Sequence, residues 1–236
     1  MGALRRLVLV GGVLLAVAAL ADHGARRLVE DQTARRIVAS GSMTEQPDVR
    51  ISGFPFLTQA AAGTFREITV RSGPGSTSGG VAVHSVRARL DDVQVPVREV
   101  LSGRLPEVRV ARLQVDGTVP YDAITDLLTA RLQGVVTDVQ VRYAGDDTLA
   151  VAGRSLGVSV DLPLELRLSG SQLVVTVPRS ALAGVPAVAR SEVALIQTRF
   201  TIPPLPHGMT VTTVQAGEDG LTLGATASDL VLDTVG

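Results

Sequence analysis

The sequence predicts an α+β protein in which a long, curved antiparallel sheet wraps around helices and leaves an elongated apolar groove. Two observations support this prediction: apolar and polar residues alternate over several long segments, and short helical segments interrupt them without a repeating strand–helix–strand pattern. The chain has 236 residues, of which 45% are hydrophobic, so it can bury a sizeable core.

Composition excludes several classes of partner and site. The formal net charge of −1 argues against broad electrostatic capture of nucleic acid. The absence of cysteine removes disulfides and thiolate metal sites. The three histidines, His23, His84 and His207, lack the spacing of a helical metal site. We therefore expect no nucleic acid, no metal and no cofactor.

The N-terminus predicts export from the cytoplasm. Arg5 and Arg6 precede residues 7–21, which contain no charged or strongly polar side chain and end in a small-x-small pattern at Ala19–Ala21. This run is short for a full membrane span and fits a signal sequence, and a retained, tilted signal anchor is the alternative. The predicted segments are a signal sequence or anchor at 1–21, an N-terminal helix at 22–45 and an α+β domain at 46–236. The mature protein would lie at the outer face of the plasma membrane or in a periplasm-like space.

Residues 22–40, rich in Ala and Arg, predict a helix that stops at Gly41. Their apolar residues do not fall on one face, so the helix is either a stalk or lies on the domain or on the membrane. Four of its arginines either meet anionic headgroups or simply form a solvated surface: Arg26, Arg27, Arg35 and Arg36.

Beyond residue 45 the pattern becomes one of strands. The clearest alternation places Val or Leu at every second position from Val158 to Leu168. Pro163 makes this either an edge strand or a strand whose missing donor faces no ladder partner. Asp91-Asp92 predicts a bulge or bend in the long strand 81–95, which contains His84. The remaining predicted strands lie at 49–51, 68–70, 108–119, 173–177, 209–214 and 221–232.

Helices separate these strands. The predicted helices cover 56–62, 97–102, 120–133 and 186–198, and glycine follows three of them. The third carries an apolar stripe that includes Ile124, Leu127, Leu128 and Leu132. The Gly-rich segment 73–80 predicts a hairpin loop.

One segment matches the pattern around the nucleophile of serine hydrolases, namely Gly153-Arg154-Ser155-Leu156-Gly157. That chemistry requires a helix after the serine, whereas here the best predicted strand follows. We therefore interpret the segment as a hairpin turn. The carboxylates of Asp146-Asp147 are adjacent and are explained by a turn after Gly145. No catalytic residue is predicted, and the chain is interpreted as a non-enzyme.

The segment Ile51-Ser52-Gly53-Phe54-Pro55-Phe56-Leu57-Thr58-Gln59, followed by Gly63, is distinctive. Together with Val95-Pro96-Val97, Thr118-Val119-Pro120-Tyr121 and Leu205-Pro206-His207-Gly208-Met209, it resembles the LmeA-like phospholipid-binding family of actinobacterial envelopes. The resemblance covers about residues 25–234.

This resemblance implies a tubular lipid-binding type of fold, a glycerophospholipid ligand that includes phosphoinositides, and a role in envelope glycolipid (mannan) assembly or lipid trafficking. Phospholipid, the plasma membrane surface and proteins of glycolipid biosynthesis are the implied partners. The alternatives are that the apolar strands pack on one another as an ordinary core, and that the protein is a scaffolding module of an envelope complex. The candidate ligand contacts are Phe54, Phe56, Leu57, Ile124 and Leu128.

Overall fold

A computed structural model describes residues 2–39, 45–76, 82–102, 107–131, 136–155, 158–183, 199–202 and 205–232. It confirms the α+β class, with antiparallel strands and several helices. Two compact units divide the chain. Unit 1 comprises Met1–Ser72, Ala88–Leu113 and Ser228–Gly236, and unit 2 comprises Gly73–Arg87 and Gln114–Ala227.

Five α-helices lie in the described residues: α1 (Gly2–Ala39), α2 (Phe56–Ala62), α3 (Val97–Leu101), α4 (Tyr121–Arg131) and α5 (Arg179–Leu182). A short 3-10 turn covers Pro206–Gly208. Prediction and structure agree to the residue for α2 and within one or two residues at the described ends of α3 and α4. The predicted helix 186–198 lies outside the described residues.

The strands are β1 (Asp48–Ser52), β2 (Thr64–Ser72), β3 (Gly75–Ser76), β4 (Ala82–Val83), β5 (Ser85–Gln94), β6 (Val108–Val119), β7 (Thr137–Gly145), β8 (Thr148–Ser155), β9 (Val158–Ser169), β10 (Gln172–Thr176), β11 (Arg199–Thr201), β12 (Thr210–Gly217) and β13 (Gly220–Leu232). They form a six-stranded sheet in the order β1-β2-β5-β6-β13-β12, a five-stranded sheet in the order β11-β10-β9-β8-β7, and the small hairpin β3-β4. The curvature of the sheet and the elongated groove stay predictions.

In unit 1, β1 pairs with β2 in a regular antiparallel register, with Ile51 opposite Ile68. The inward residues of β1, Val49 and Ile51, are buried, as the alternation of the sequence predicts. Helix α2 ends at Gly63, whose backbone N–H donates to Gln59 and Ala60 and whose φ is 67°. Only glycine adopts this left-handed conformation without steric cost, so the glycine fixes the end of the helix.

The five-stranded sheet of unit 2 is a meander in which buried residues align across the strands. Leu162 of β9 lies opposite Val151 of β8, and Val151 lies opposite Val141 of β7. All three side chains are buried, because each points to the same face of the pleated sheet. The alternation predicted for residues 158–168 is therefore confirmed.

Of the two interpretations of Pro163, the edge strand is excluded, because β9 pairs with β8 on one side and with β10 on the other. The alternative fits the register. Pro163 lies opposite Ala150 of β8, while the β10 ladder reaches β9 only from Glu165 to Ser169. Proline is tolerated here since its position lies beyond the end of the β10 ladder.

Several predicted turns are confirmed. Asp146 and Asp147 form the β7–β8 turn, both with positive φ. Ser155 lies opposite Val158 in the β8–β9 pair, which identifies the Ser155 segment as a hairpin. The strand predicted at 81–95 is divided instead, since His84 lies in a bend between β4 and β5 and its N–H donates to the Thr118 carbonyl. The predicted bend at Asp91-Asp92 coincides with a φ of 51° at Asp92.

We expect Gly63→Ala to destabilise the protein by about 2 kcal/mol or more, because the residue has a positive φ and its new Cβ would overlap the Val95 carbonyl oxygen. Gly24→Ala is the matched control: Gly24 lies in α1 with nothing within 4 Å of a Cβ, so this change should be neutral or slightly stabilising. Urea unfolding measures both. Equal unfolding midpoints for the two variants would contradict the role of Gly63.

Candidate functional site

The Gly-Phe-Pro-Phe corner between β1 and α2 is built around the side chain of Gln59. Gly53 has a φ of 105°, and a Cβ at this position would lie 2.6 Å from the Gln59 amide nitrogen. Gln59 donates to the Ser52 carbonyl and accepts from the Arg66 N–H, at 3.4 Å and 3.1 Å. One amide side chain therefore joins the end of β1 to the start of β2 across the corner.

The N-terminus of α2 is capped by a residue from another helix. Pro55 occupies the N-cap position and makes no side-chain capping hydrogen bond. Instead the carboxylate of Asp22 in α1 accepts from the backbone N–H of Phe56 at 2.9 Å and of Leu57 at 2.7 Å. A carboxylate at this position satisfies two helix-terminal donors and also complements the helix dipole.

Asp22 stays ionised as a consequence of this geometry. The hydrogen bond from Leu57 is the main cause that lowers the pKa of Asp22 below the ordinary value of an aspartate, and the bond from Phe56 acts in the same direction. Burial opposes them, since it raises the pKa of the carboxyl group.

Helix α1 packs against the rest of unit 1 through a largely polar face rather than an apolar one. Asp22, Arg26, Glu30 and Ala34 recur at four-residue steps, and Asp22 and Ala34 are buried. A Glu30 carboxylate oxygen accepts from the Ile51 N–H at 2.7 Å, which satisfies a donor of the edge strand β1. Because this face is largely polar, no apolar stripe in the sequence marks it. The alternative that the helix lies on the domain is the one observed for this part of α1.

The three candidate ligand contacts in this corner have different environments. Phe56 is 2% exposed and its ring lies 6.2 Å from that of Phe65, so it belongs to the core of unit 1. Phe54 and Leu57 are 71% and 47% exposed. The corner thus presents two large apolar side chains to the outside while it buries the third.

Unit 2 contains the second apolar region, which we call the apolar face. Its centre consists of ten buried residues: Val139, Val141, Leu149, Val151, Leu162, Leu164, Val175, Val177, Ala216 and Leu221. Partly buried apolar side chains surround this centre, among them Ile124 and Leu128 of α4, Tyr143 of β7, and Val160 and Leu166 of β9. Along β9, the central residues of the apolar stripe are therefore fully buried, whereas the residues at both of its ends are only partly buried.

Helix α4 is fixed to this apolar face at its first residue. The Tyr121 hydroxyl donates to the Gly217 carbonyl at 2.6 Å and lies 3.2 Å from the Gly220 carbonyl, both in the β12–β13 turn. Burial raises the pKa of Tyr121, so the phenol stays protonated as this donation requires. One turn further along the helix, the Thr125 hydroxyl accepts from the Val141 N–H. In the sequence, Tyr121 is marked only by the segment Thr118-Val119-Pro120-Tyr121.

Some charged side chains at the surface of unit 2 form ion pairs. Arg142, Arg154 and Arg167 form ion pairs with Asp161, Asp138 and Glu165. Arg179, the first residue of α5, is exposed and has no ion pair among the described residues. It lies between Val177, which belongs to the buried centre, and Ala181, which packs against it. Among the described residues, Arg179 is thus a cation without an ion pair at the rim of the apolar face.

Two clefts among the described residues are bordered by charged side chains. One of about 370 Å³ in unit 2 is bordered by Asp138, Arg154 and Asp161. Another of about 440 Å³ in unit 1 is bordered by Arg27, Glu30, Asp31 and Asp48.

Two absences concern only the part of the chain that the structure describes. No group of three or more His, Asp or Glu side chains there is arranged to hold a metal ion. No helix there combines the length and hydropathy needed to cross a membrane.

The family comparison gives one match. The family model for LmeA-like phospholipid-binding proteins matches residues 20–226. This range contains Asp22, the Gly-Phe-Pro-Phe corner and the whole five-stranded sheet. The comparisons with curated proteins and with solved structures give no match.

We expect the stabilising effect of Asp22 to depend on pH. Since the pKa of Asp22 is lowered in the folded protein, its contribution is present above about pH 4 and is lost as the pH falls through the folded value. The urea midpoint of Asp22→Asn should lie below that of the wild type at pH 7, and the difference should shrink as the pH falls toward 3. Asp31→Asn, at an exposed position of the same helix, is the control and should lie close to the wild type at each pH. An Asp22→Asn difference that stays constant with pH would contradict the ionised cap.

Proposed function

Because the chain belongs to the LmeA-like phospholipid-binding family, we propose that it is an exported, envelope-associated protein that binds a glycerophospholipid, phosphoinositides included, and supports envelope glycolipid assembly or lipid trafficking. Phospholipid binding follows from the family. The export signal at 1–21 and the implied link to mannan assembly are the finer parts of the proposal. Proteins of glycolipid biosynthesis would be the protein partners.

The partly covered apolar face of unit 2 is the observation that carries the proposed acyl-chain site. Ile124, Leu128 and Leu166 keep part of their apolar surface accessible although they pack against a buried centre. Each methylene that an acyl chain removes from water contributes about 0.8 kcal/mol, so completing the cover of such a surface with lipid is favourable. An acyl chain that contacts the partly buried residues at the two ends of the β9 stripe would add apolar contacts without displacing Leu162 or Leu164.

Arg179 supplies the chemistry that a phospholipid headgroup needs at the rim of this face. A guanidinium group forms bidentate, charge-assisted hydrogen bonds with phosphate oxygens. Arg142, Arg154 and Arg167 already have carboxylate partners, whereas Arg179 has none among the described residues. We therefore assign the phosphate contact to Arg179.

The second candidate function is a scaffolding module of an envelope complex. It draws on the exposure of Phe54 and Leu57, which a partner protein would cover, and on the closed centre of the apolar face. Scaffolding predicts that the protein carries no lipid. Lipid content is therefore the property that separates the two candidates.

The acyl-chain site predicts different effects for two neighbouring leucines of α4. Leu128 packs against the apolar face, whereas Leu127 is 55% exposed. In native mass spectrometry of protein purified from its host, Leu128→Arg should lose most of the bound phospholipid and Leu127→Arg should keep it. Leu128→Ala, which introduces no charge, should show an intermediate loss and guards against misfolding of the first variant. If repeated wild-type preparations carry no lipid and take none up from vesicles, the carrier function is wrong.

The headgroup contact is tested by Arg179→Gln. Loss of one charge-assisted contact should weaken phospholipid uptake from vesicles by about ten-fold, because such bonds contribute about 1.5–3 kcal/mol. Arg87→Gln is the matched control, since Arg87 of unit 2 is also exposed and has no ion pair with a described residue, but is not among the residues of the apolar face. Equal uptake by the wild type and both variants would exclude Arg179 as the phosphate ligand.

A further inference from the structure

The corner signature separates into a structural part and an exposed part. Gly53 and Gln59 shape the turn, Phe56 fills the core and Gly63 ends α2. Phe54 and Leu57 have no such role, although they are large apolar side chains held at the surface. Exposed apolar residues that adjoin each other at a rigid turn indicate an interaction surface.

Helix α1 brings a second exposed apolar element to the same corner. Residues 16–21 are all Ala, Val or Leu, and all six are exposed, with Leu20 72% exposed. The next residue, Asp22, binds the N–H groups of Phe56 and Leu57. The contact of α1 with the rest of unit 1 thus begins directly after the apolar segment 16–21. The end of this segment next to Asp22 therefore adjoins the corner, and the six residues extend about 9 Å along the helix axis.

The nature of this surface favours a lipid over a protein partner. A helix docked in a protein groove needs one apolar side, whereas residues 16–21 are apolar on every side, as in helices surrounded by hydrocarbon. Arg26 and Arg27 lie one turn beyond the apolar segment; Arg26 pairs with Glu30, whereas Arg27 is exposed. Cations that flank an apolar segment in this way meet anionic headgroups while the apolar part enters the acyl region.

We propose that Phe54 and Leu57, together with residues 16–21 of α1 in the form that retains the N-terminal segment as an anchor, form a membrane-docking surface that seats unit 1 on a phospholipid bilayer, with Arg27 at the headgroups. The docking surface is independent of the acyl-chain site in unit 2, because it uses other residues in another unit. Loss of lipid carriage by Leu128→Arg leaves bilayer docking intact, and the reverse also holds.

Phe54→Trp provides a direct reporter, since the chain contains no tryptophan. The full chain is mixed with vesicles of phosphatidylcholine and phosphatidylglycerol, with and without brominated acyl chains. Tryptophan emission of this variant should shift to the blue on vesicles, and brominated lipid should quench it by about two-fold. Val231→Trp, at an exposed position of β13 in unit 1, is the matched control and should not respond.

The contribution of the docking surface to binding is measured with Phe54→Ser combined with Leu57→Ser. The double variant should bind the same vesicles about ten-fold more weakly, because two apolar side chains no longer enter the acyl region. Val231→Ser should bind like the wild type. Both changes are at exposed positions, so circular dichroism and urea unfolding should match the wild type. If the double variant is misfolded, Leu57→Trp replaces it as a second reporter.

Two results would overturn the proposal. In the first, acrylamide quenches the Phe54→Trp and Leu57→Trp proteins equally well with and without vesicles. In the second, their emission shifts to the blue without vesicles as the protein concentration rises, which would identify a second copy of the chain as the occupant. Blue-shifted, lipid-quenched emission together with weaker binding by the double variant supports the docking surface.

Discussion

The carboxylate of Asp22 accepts hydrogen bonds from two backbone amides that the N-cap residue of α2 cannot cap. The organisation of unit 1 around the corner depends on this contact. Pro55 at the N-cap offers no oxygen to the first turn of α2, so the amides of Phe56 and Leu57 need an acceptor from elsewhere. An uncapped amide pair in a partly buried site is costly. Helix α1 meets this requirement, and Glu30 repeats the device two turns later at the edge strand β1.

The hydrogen bonds that fix the backbone of the corner also determine which of its side chains are exposed. Phe56 is directed into the core, where it meets Phe65, while Phe54 and Leu57 remain outside. A flexible loop would fold such side chains inward, because exposed aromatic surface is unfavourable in water. Here the hydrogen bonds of Asp22 and Gln59 hold the backbone and prevent that collapse. The exposure of the two residues is therefore a consequence of a rigid turn.

The sequence predicted those features that depend on local patterns. The bounds of α2 follow from Pro55 before it and Gly63 after it, and the buried face of β9 follows from period-two alternation. Contacts between distant segments were not predictable in this way. The docking face of α1 consists of Asp22, Arg26, Glu30 and Ala34, and nothing in their polarity marks it as buried. For Pro163 the sequence left two interpretations open, and the choice between them depends on the register of β10 with β9, which is a tertiary property.

The same limit applies to the candidate sites. Phe54, Phe56 and Leu57 share one motif, so the sequence does not distinguish them. Only the burial of Phe56 separates it from the other two. The family match begins at residue 20, so the helix that carries Asp22 and Glu30 lies inside it, whereas most of the apolar run at 7–21 lies outside. The capping part of α1 thus lies within the part of the chain that the family model matches.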